Sequence, residues 1–368
     1  MKNYLFPLLL LLVATACSDA TKITPSNFKA LSGWNADSHA EALRVFTDSC
    51  RANATRSNAY QSKAEGSIGD RGAWAVACDA AARLDNPTND EARTFFEAYF
   101  IPHRVETEAR PQGTMTGYYE PLLHGNSTRQ APYLTPVYGV PYDRAEMNPY
   151  FCRAEITAGA IEGRAPVLLY VDDPIMLFFL QVQGSGKVRM RDGRLVGLQY
   201  AGQNGHEYVA IGRILKERGE LETLSLQTIR DWLLAHPDQM DEVLNQNPSY
   251  IFFKLSPGDE MAKGALGIPL TPLRSLAIDN DRATYGVPTW VETTQPEYMS
   301  GSPLPLRRLF ISQDTGGALH GPHRGDIFYG RGEREEWQAG HQNTPAKVYW
   351  LLPKGENAQP PELPEELP

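Results

Sequence analysis

The sequence predicts a mainly β protein that opens with helices, and three observations carry that prediction. Apolar residues recur at helical spacing through residues 37–100. Beyond Phe100 the texture changes to short apolar runs cut by glycine and proline, the punctuation of strands and tight turns. The 368 residues, 42% apolar and 21% charged, suffice for two cores of ordinary size.

Residues 1–17 read as a targeting signal: a basic start at Lys2, an apolar run over 5–13 broken only by Pro7, then small residues up to Cys17. Such a run is too short to span roughly 30 Å of hydrocarbon as a mature helix, so removal is expected. Ala14-Thr15-Ala16-Cys17 resembles a lipobox, in which Cys17 becomes the lipidated N-terminus, and Ser18 after it resembles proteins sorted to the outer membrane. Residues 18–32 are polar and unpatterned, as in a tether. Helices are expected over 37–52, 73–84 and 89–100, with Pro87 between the last two. Cys50 and Cys78 fall on the first two and, in an oxidising compartment, are the expected disulfide, with a pair of buried thiols as the alternative. Cys152 is left over.

Strands are expected over 114–119, 133–138, 167–170, 175–182, 187–190 and 197–200, followed by helices over 209–217 and 225–235, the second capped by Ser225. A second β run covers 250–254, 274–278, 288–291, 307–312, 326–329 and 347–352. Residues 353–368, rich in proline and glutamate, read as a disordered tail.

Several functions are excluded by composition or spacing. The net charge of -9 and the lack of a basic cluster argue against nucleic acid as a partner. Gln183-Gly184-Ser185-Gly186-Lys187 lacks the leading glycine and the following Ser or Thr of a phosphate loop, and is expected to be a tight turn between strands that presents N–H groups to a sugar. Asp314-Thr315-Gly316 is the triplet of aspartic proteases, but those enzymes pair two copies and this chain has one. His320 and His323 have metal-ligand chemistry on a loop that fixes no geometry, so no metal and no cofactor is expected. Asp326 leads into an apolar strand beside Phe328 and Tyr329, where desolvation would hold its proton and make it a general acid near neutral pH. Asp314 reads equally as a turn-forming aspartate or a catalytic one.

Thr116-Gly117-Tyr118-Tyr119-Glu120-Pro121, the run from Gln181 to Gly186, the stretch from Tyr200 to Asn204, the run from Leu270 to Asp279 and the two aspartate segments occur in the order of the membrane-bound lytic murein transglycosylase A family. The resemblance covers roughly residues 95–352. It implies a double-psi β-barrel of residues 33–120 and 255–352, with a second β-domain of residues 121–254 inserted and a groove between them. The family's three aspartates map onto Asp279, Asp314 and Asp326, and Asp326 matches the catalytic one. The implied reaction cleaves the β-1,4 bond between N-acetylmuramic acid and N-acetylglucosamine without water, leaving a 1,6-anhydro end. The groove would be lined by Thr116, Tyr118, Gln183, Gly184, Ser185, Tyr200 and Asn204. The implied partners are peptidoglycan glycan strands and, through the lipid anchor, a membrane. The competing readings are a hydrolase using Asp314 and Asp326 as a pair, and a peptidoglycan-binding lipoprotein without turnover.

Cys17→Ala is expected to leave an unprocessed or soluble protein. The mature mass and the membrane fraction check this, and no change in either contradicts lipidation.

Overall fold

The computed structural model describes residues 20–355, so the signal, Cys17 and the tail from residue 356 onward lie outside the described residues. In chain order the first part holds β1 (Thr21–Pro25), α1 (His39–Asn53), a small hairpin of β2 (Gln61–Ser62) and β3 (Gly66–Ser67), α2 (Arg71–Arg83), α3 (Asn89–Tyr99), β4 (Phe100–Thr107) and β5 (Gly113–Tyr118). The middle part holds β6 (Leu122–Asn126), β7 (Thr135–Tyr138), α4 (Arg153–Thr157), β8 (Val167–Val171), α5 (Pro174–Gln183), β9 (Ser185–Met190), β10 (Leu195–Gln203), α6 (Ile211–Glu217), α7 (Leu226–Ala235), α8 (Met240–Asn245) and β11 (Ile251–Pro257). The last part holds β12 (Ser275–Ile278), β13 (Pro288–Pro296), β14 (Pro303–Thr315), β15 (Arg324–Phe328), α9 (Glu333–His341) and β16 (Asn343–Pro353).

The architecture is mainly β. One sheet runs β1-β4-β16-β13-β14-β12-β15-β5, and β5 pairs back onto β16, so six of its strands close into a barrel. The other sheet, β11-β10-β9-β6-β8-β7, is built wholly from chain lying between β5 and β12. The chain therefore crosses between the sheets twice. Helices α1 to α3 cover the barrel, where Phe46, Trp74, Phe95, Phe96, Phe100 and Trp290 share one core. Thr88 and Glu91 form a capping box at the start of α3, satisfying donors that the first turn cannot. Cys50 of α1 and Cys78 of α2 are joined as a disulfide with their Cα atoms 5.6 Å apart. Arg274, entering β12, is fully buried against Asp37 at 2.8 Å and Glu41 at 2.8 Å, which locks the start of α1 onto the barrel wall.

Three expectations are corrected. Residues 21–25, expected within a tether, form β1 and pair with β4, because Ile23 alternates inward and supplies an edge partner to that strand. Residues 175–182, expected as a strand, form α5. Asp173 caps its start by accepting from Met176 N, Pro174 takes the first turn, and Gly184 ends it in a left-handed conformation at φ 81°. The glycine-rich segment is consequently a helix end running into β9, not a turn between two strands. Helices α4, α8 and α9 have no counterpart among the expected elements.

Asp37→Ala leaves the Arg274 guanidinium buried beside only a half-exposed Glu41. Removing one partner of a buried pair typically costs about 3–5 kcal/mol. Urea unfolding is expected to show a loss of that order, and a loss under about 1 kcal/mol would contradict it.

Candidate active site

Strand register builds the site. β15 pairs antiparallel with β12 and parallel with β5, which sets Asp326 opposite both Ala277 and Thr116. β12 pairs parallel with β14, which sets Ala277 opposite Asp314. Thr116, Asp326, Ala277 and Asp314 thus stand in one row across four strands, and all four line the same cleft. Neighbouring strands lie about 4.8 Å apart, so the two acids are two strands from each other with only the Ala277 methyl between them. A larger residue there would fill the floor.

The two acids differ in their partners. Asp314 Oδ1 accepts from Thr315 N and from Ala265 N, both at 2.9 Å, and its Oδ2 accepts from the Tyr118 hydroxyl at 3.0 Å. Burial pushes its carboxyl up, and those donors pull it partly back. Asp326 accepts one hydrogen bond, from Thr116 Oγ1 to Oδ1 at 2.7 Å, and its Oδ2 has no partner among the described residues. Burial raises its pKa to about 6 against the opposing pull of the Thr116 hydroxyl and the Arg324 charge. Arg324, two residues earlier on the same face of β15, donates to Thr116 Oγ1 at 2.8 Å. An arginine only donates, so the Thr116 hydroxyl accepts from Arg324 and gives its own proton to Oδ1 of the ionised Asp326. Oδ2 is the oxygen of Asp326 left without a partner among the described residues, on the cleft side.

The facing wall comes from the other sheet. Gln183, at the end of α5, lines the cleft and accepts from Tyr119 N at 3.2 Å, fastening the wall to the strand that holds Thr116 and Tyr118. Arg153, Gln181, Gln203, Tyr208, Asn247 and Ser249 complete that side of a cleft of about 340 Å³. Behind the row, Gly117 lies so close to α9 that a Cβ would come within 2.8 Å of the Ala339 backbone, so only glycine admits that packing.

The remaining expected residues fall elsewhere. Asp279 holds a loop by accepting from Gly321 N at 2.7 Å and Asp281 N at 3.0 Å, and it lies outside the cleft lining. Asn204 is a correction: it is fully buried, its amide donating to Phe151 O and Pro248 O and accepting from Tyr250 N, so it ties loops together and presents nothing to a ligand. Gly184, Ser185 and the half-exposed Tyr200 also stand outside the lining. His323 is buried with its ring against Arg110 O at 3.1 Å. No group of three or more His, Cys, Asp or Glu able to hold a metal occurs among the described residues. Arg324 and Arg153 were missed by sequence reasoning. Arg324 had a signal, its i−2 position from Asp326 on a strand, whereas nothing local marks Arg153.

Residues 114–254 match the family described as MltA specific insert domain, and residues 274–352 match the 3D domain. The chain is 36% identical over 260 residues to the membrane-bound lytic murein transglycosylase A of Vibrio cholerae serotype O1, covering 65% of this chain and 68% of that protein. It is 36% identical over 245 residues to the protein of the same name from Escherichia coli K12, covering 64% of each. Among solved structures, the membrane-bound lytic murein transglycosylase from Agrobacterium tumefaciens superposes with a TM-score of 0.79 at 31% identity, over 90% of this chain and 98% of that one. MltA from Neisseria gonorrhoeae gives 0.74 at 31% identity, over 91% and 93%. E. coli MltA with bound chitohexaose gives 0.70 at 27% identity, over 90% and 94%.

The raised pKa of Asp326 has a stability consequence. The folded value of about 6 exceeds the ordinary 3.8, so between those two values the folded protein keeps a proton that the unfolded chain releases. Stability therefore falls as pH rises through that window and stays lowered above it. Asp326→Asn cannot ionise, and is expected to exceed the parent in stability at pH 7 by roughly 1–3 kcal/mol, with the difference gone near pH 3. Denaturant unfolding at both pH values measures this. An Asn variant no more stable than the parent at pH 7 would contradict the raised value.

Proposed function

The chain belongs to the membrane-bound lytic murein transglycosylase A family, and from that premise we propose that it cleaves peptidoglycan glycan strands as a lytic transglycosylase, with Asp326 as its one acid and base. The observation that carries the assignment is the asymmetry of the two acids. Asp314 has both oxygens engaged by three donors, while Asp326 has one oxygen free and a pKa of about 6. A solved relative holds chitohexaose, a chain of N-acetylglucosamine rings, which is consistent with a glycan in this cleft.

In the proposed reaction Asp326 Oδ2 gives its proton to the glycosidic oxygen as the bond from that oxygen to C1 of the muramyl residue breaks. The carboxylate then takes the proton of the muramyl C6 hydroxyl, and O6 closes on C1 to form the 1,6-anhydro ring. The proton removed restores the acid and no water is consumed. A substrate-borne nucleophile explains why one carboxylate suffices where most glycosidases use two. Thr116, Tyr118 and Gln183 would contact the strand from the two walls.

We propose further that the closed barrel is a double-psi β-barrel of residues 33–120 and 255–352 with residues 121–254 inserted. What supports this is the pair of parallel contacts, β5 with β15 and β12 with β14, within an otherwise antiparallel sheet. Membrane association accords with the family's name, and the finer reading, an anchor at Cys17 on the periplasmic face of the outer membrane, rests on the signal sequence.

Mass spectrometry of fragments released from purified sacculi tests the reaction, with 1,6-anhydro ends expected. Asp326→Asn is expected to lose about ten-thousandfold in turnover, the upper end of general acid–base contributions, and Asp314→Asn much less. Reducing ends together with equal, severe losses in both variants would establish the paired-carboxylate hydrolase instead.

A further inference from the structure

The described residues bury three lysine or arginine side chains, and their counterions differ. Arg274 has Asp37 and Glu41, and Lys187 has Glu120 at 3.4 Å. Arg153 has none: it is 6% exposed, and the charged-state neighbours that act on it are two phenols, Tyr250 and Tyr208. Burial pulls its pKa down to about 10, so it stays a cation at neutral pH. Its guanidinium lies 4.6 Å from the Phe178 ring centroid and 5.1 Å from that of Tyr250, which fix its plane.

Its hydrogen bonds are equally telling. Nε donates to Asn247 O at 3.0 Å, one Nη to Gln181 Oε1 at 2.6 Å and the other to Ser249 O at 2.6 Å. An arginine has five N–H groups, so three engaged leaves two, one on each terminal nitrogen. Those two remaining donors are available to a carboxylate. Arg153 and all three of its acceptors line the catalytic cleft, on the wall facing the row of Thr116, Asp326 and Asp314. Arg324, the other arginine of the cleft, is already engaged with Thr116 and acts on Asp326.

A buried, oriented cation with two spare donors and no protein acid is a site that lacks its anion. We propose that Arg153 binds a carboxylate of the substrate, and so distinguishes acidic murein strands from uncharged N-acetylglucosamine chains. The inference rests on the glycan-cleaving reading of the cleft. The carboxylate has two possible sources, the lactyl group of a peptide-free muramyl residue or an acid of the attached peptide, and the experiment separates them.

Binding is measured with the full chain carrying Asp326→Asn, which blocks turnover, with and without Arg153→Gln. The probes are peptide-free murein strands, peptide-bearing strands and N-acetylglucosamine hexamer. Losing a charged contact is expected to weaken at least one acidic probe by about ten- to a hundredfold while hexamer binding stays within about twofold. Loss confined to peptide-free strands supports the lactyl carboxylate, and loss confined to peptide-bearing strands supports a peptide acid. Because Arg153 also braces two backbone carbonyls, Arg153→Lys serves as a second variant, keeping the charge without the guanidinium and expected to fall between. Equal loss on all three probes, or no loss on any, overturns the proposal, the first by making Arg153 a structural brace. Failure of the Asp326→Asn chain itself to bind any of the glycans would overturn the reading of the cleft on which the inference stands.

Discussion

Both crossings between the sheets converge on one buried carboxylate, Glu120, which joins the barrel to the facing sheet. Glu120 sits at the first crossing, with Lys187 of the second sheet at 3.4 Å and Arg331, just past the strand of Asp326, at 2.8 Å. Lys187 and Arg331 also both donate to the backbone oxygen of Glu260, on the second crossing. One acid, two cations and a carbonyl therefore clamp two passages of chain to the barrel and to the facing wall at once. In a low-dielectric setting such a network is stiff, since removing any member strands the others without water. The acid row and the Arg153 wall are aligned by that clamp.

Within the barrel, register does what no local sequence feature could. Asp326 and Asp314 are twelve positions apart in the chain, yet pairing with β12 from opposite sides brings both to Ala277. The same pairing surrounds one acid with three donors and leaves the other with one. Two identical side chains thereby acquire different chemistry: a carboxylate occupied in holding the 262–267 loop and the glycine-rich turn, and a carboxyl whose burial keeps a proton available.

The sequence was readable where one face of an element is wet and opaque where both are covered. Ser225 announces α7 because its hydroxyl caps Thr228 N, and α1 to α3 show plain helical spacing since one side of each meets solvent. α5 concealed itself. Leu177 and Leu180 pack into one core while Ile175, Phe178 and Phe179 pack into another, so the run is apolar all round and its period is erased. The caps at Asp173, Pro174 and Gly184 were the surviving signal. α9 hid for the opposite reason: it is mostly charged or polar, only Gln338 and Ala339 are buried, and its backbone at Ala339 packs against Gly117 on a distant strand. For the site, Asp326 was legible as an acid before an apolar strand. Asn204 was misread, because its side chain satisfies backbone groups from two loops, around Phe151 and around Pro248 to Tyr250, that only the fold brings together.

Under the proposed mechanism, the place of Thr116 between Arg324 and Asp326 follows from what the acid would do. A guanidinium in direct contact with a carboxylate typically lowers its pKa by about 1–3 units, which at this aspartate would cancel the rise due to burial and leave it ionised at neutral pH. An acid without any cation nearby would hold its proton too firmly to serve as the base of the second half of the reaction. With the hydroxyl interposed, Arg324 orients the Thr116 proton and contributes only its longer-range charge, and the balance settles at about 6. A group that must give a proton and then take one works best with a pKa close to the ambient pH. In that mechanism the threonine is a spacer that tunes the acid, and its register position opposite Asp326 on β5 would let a single residue do both.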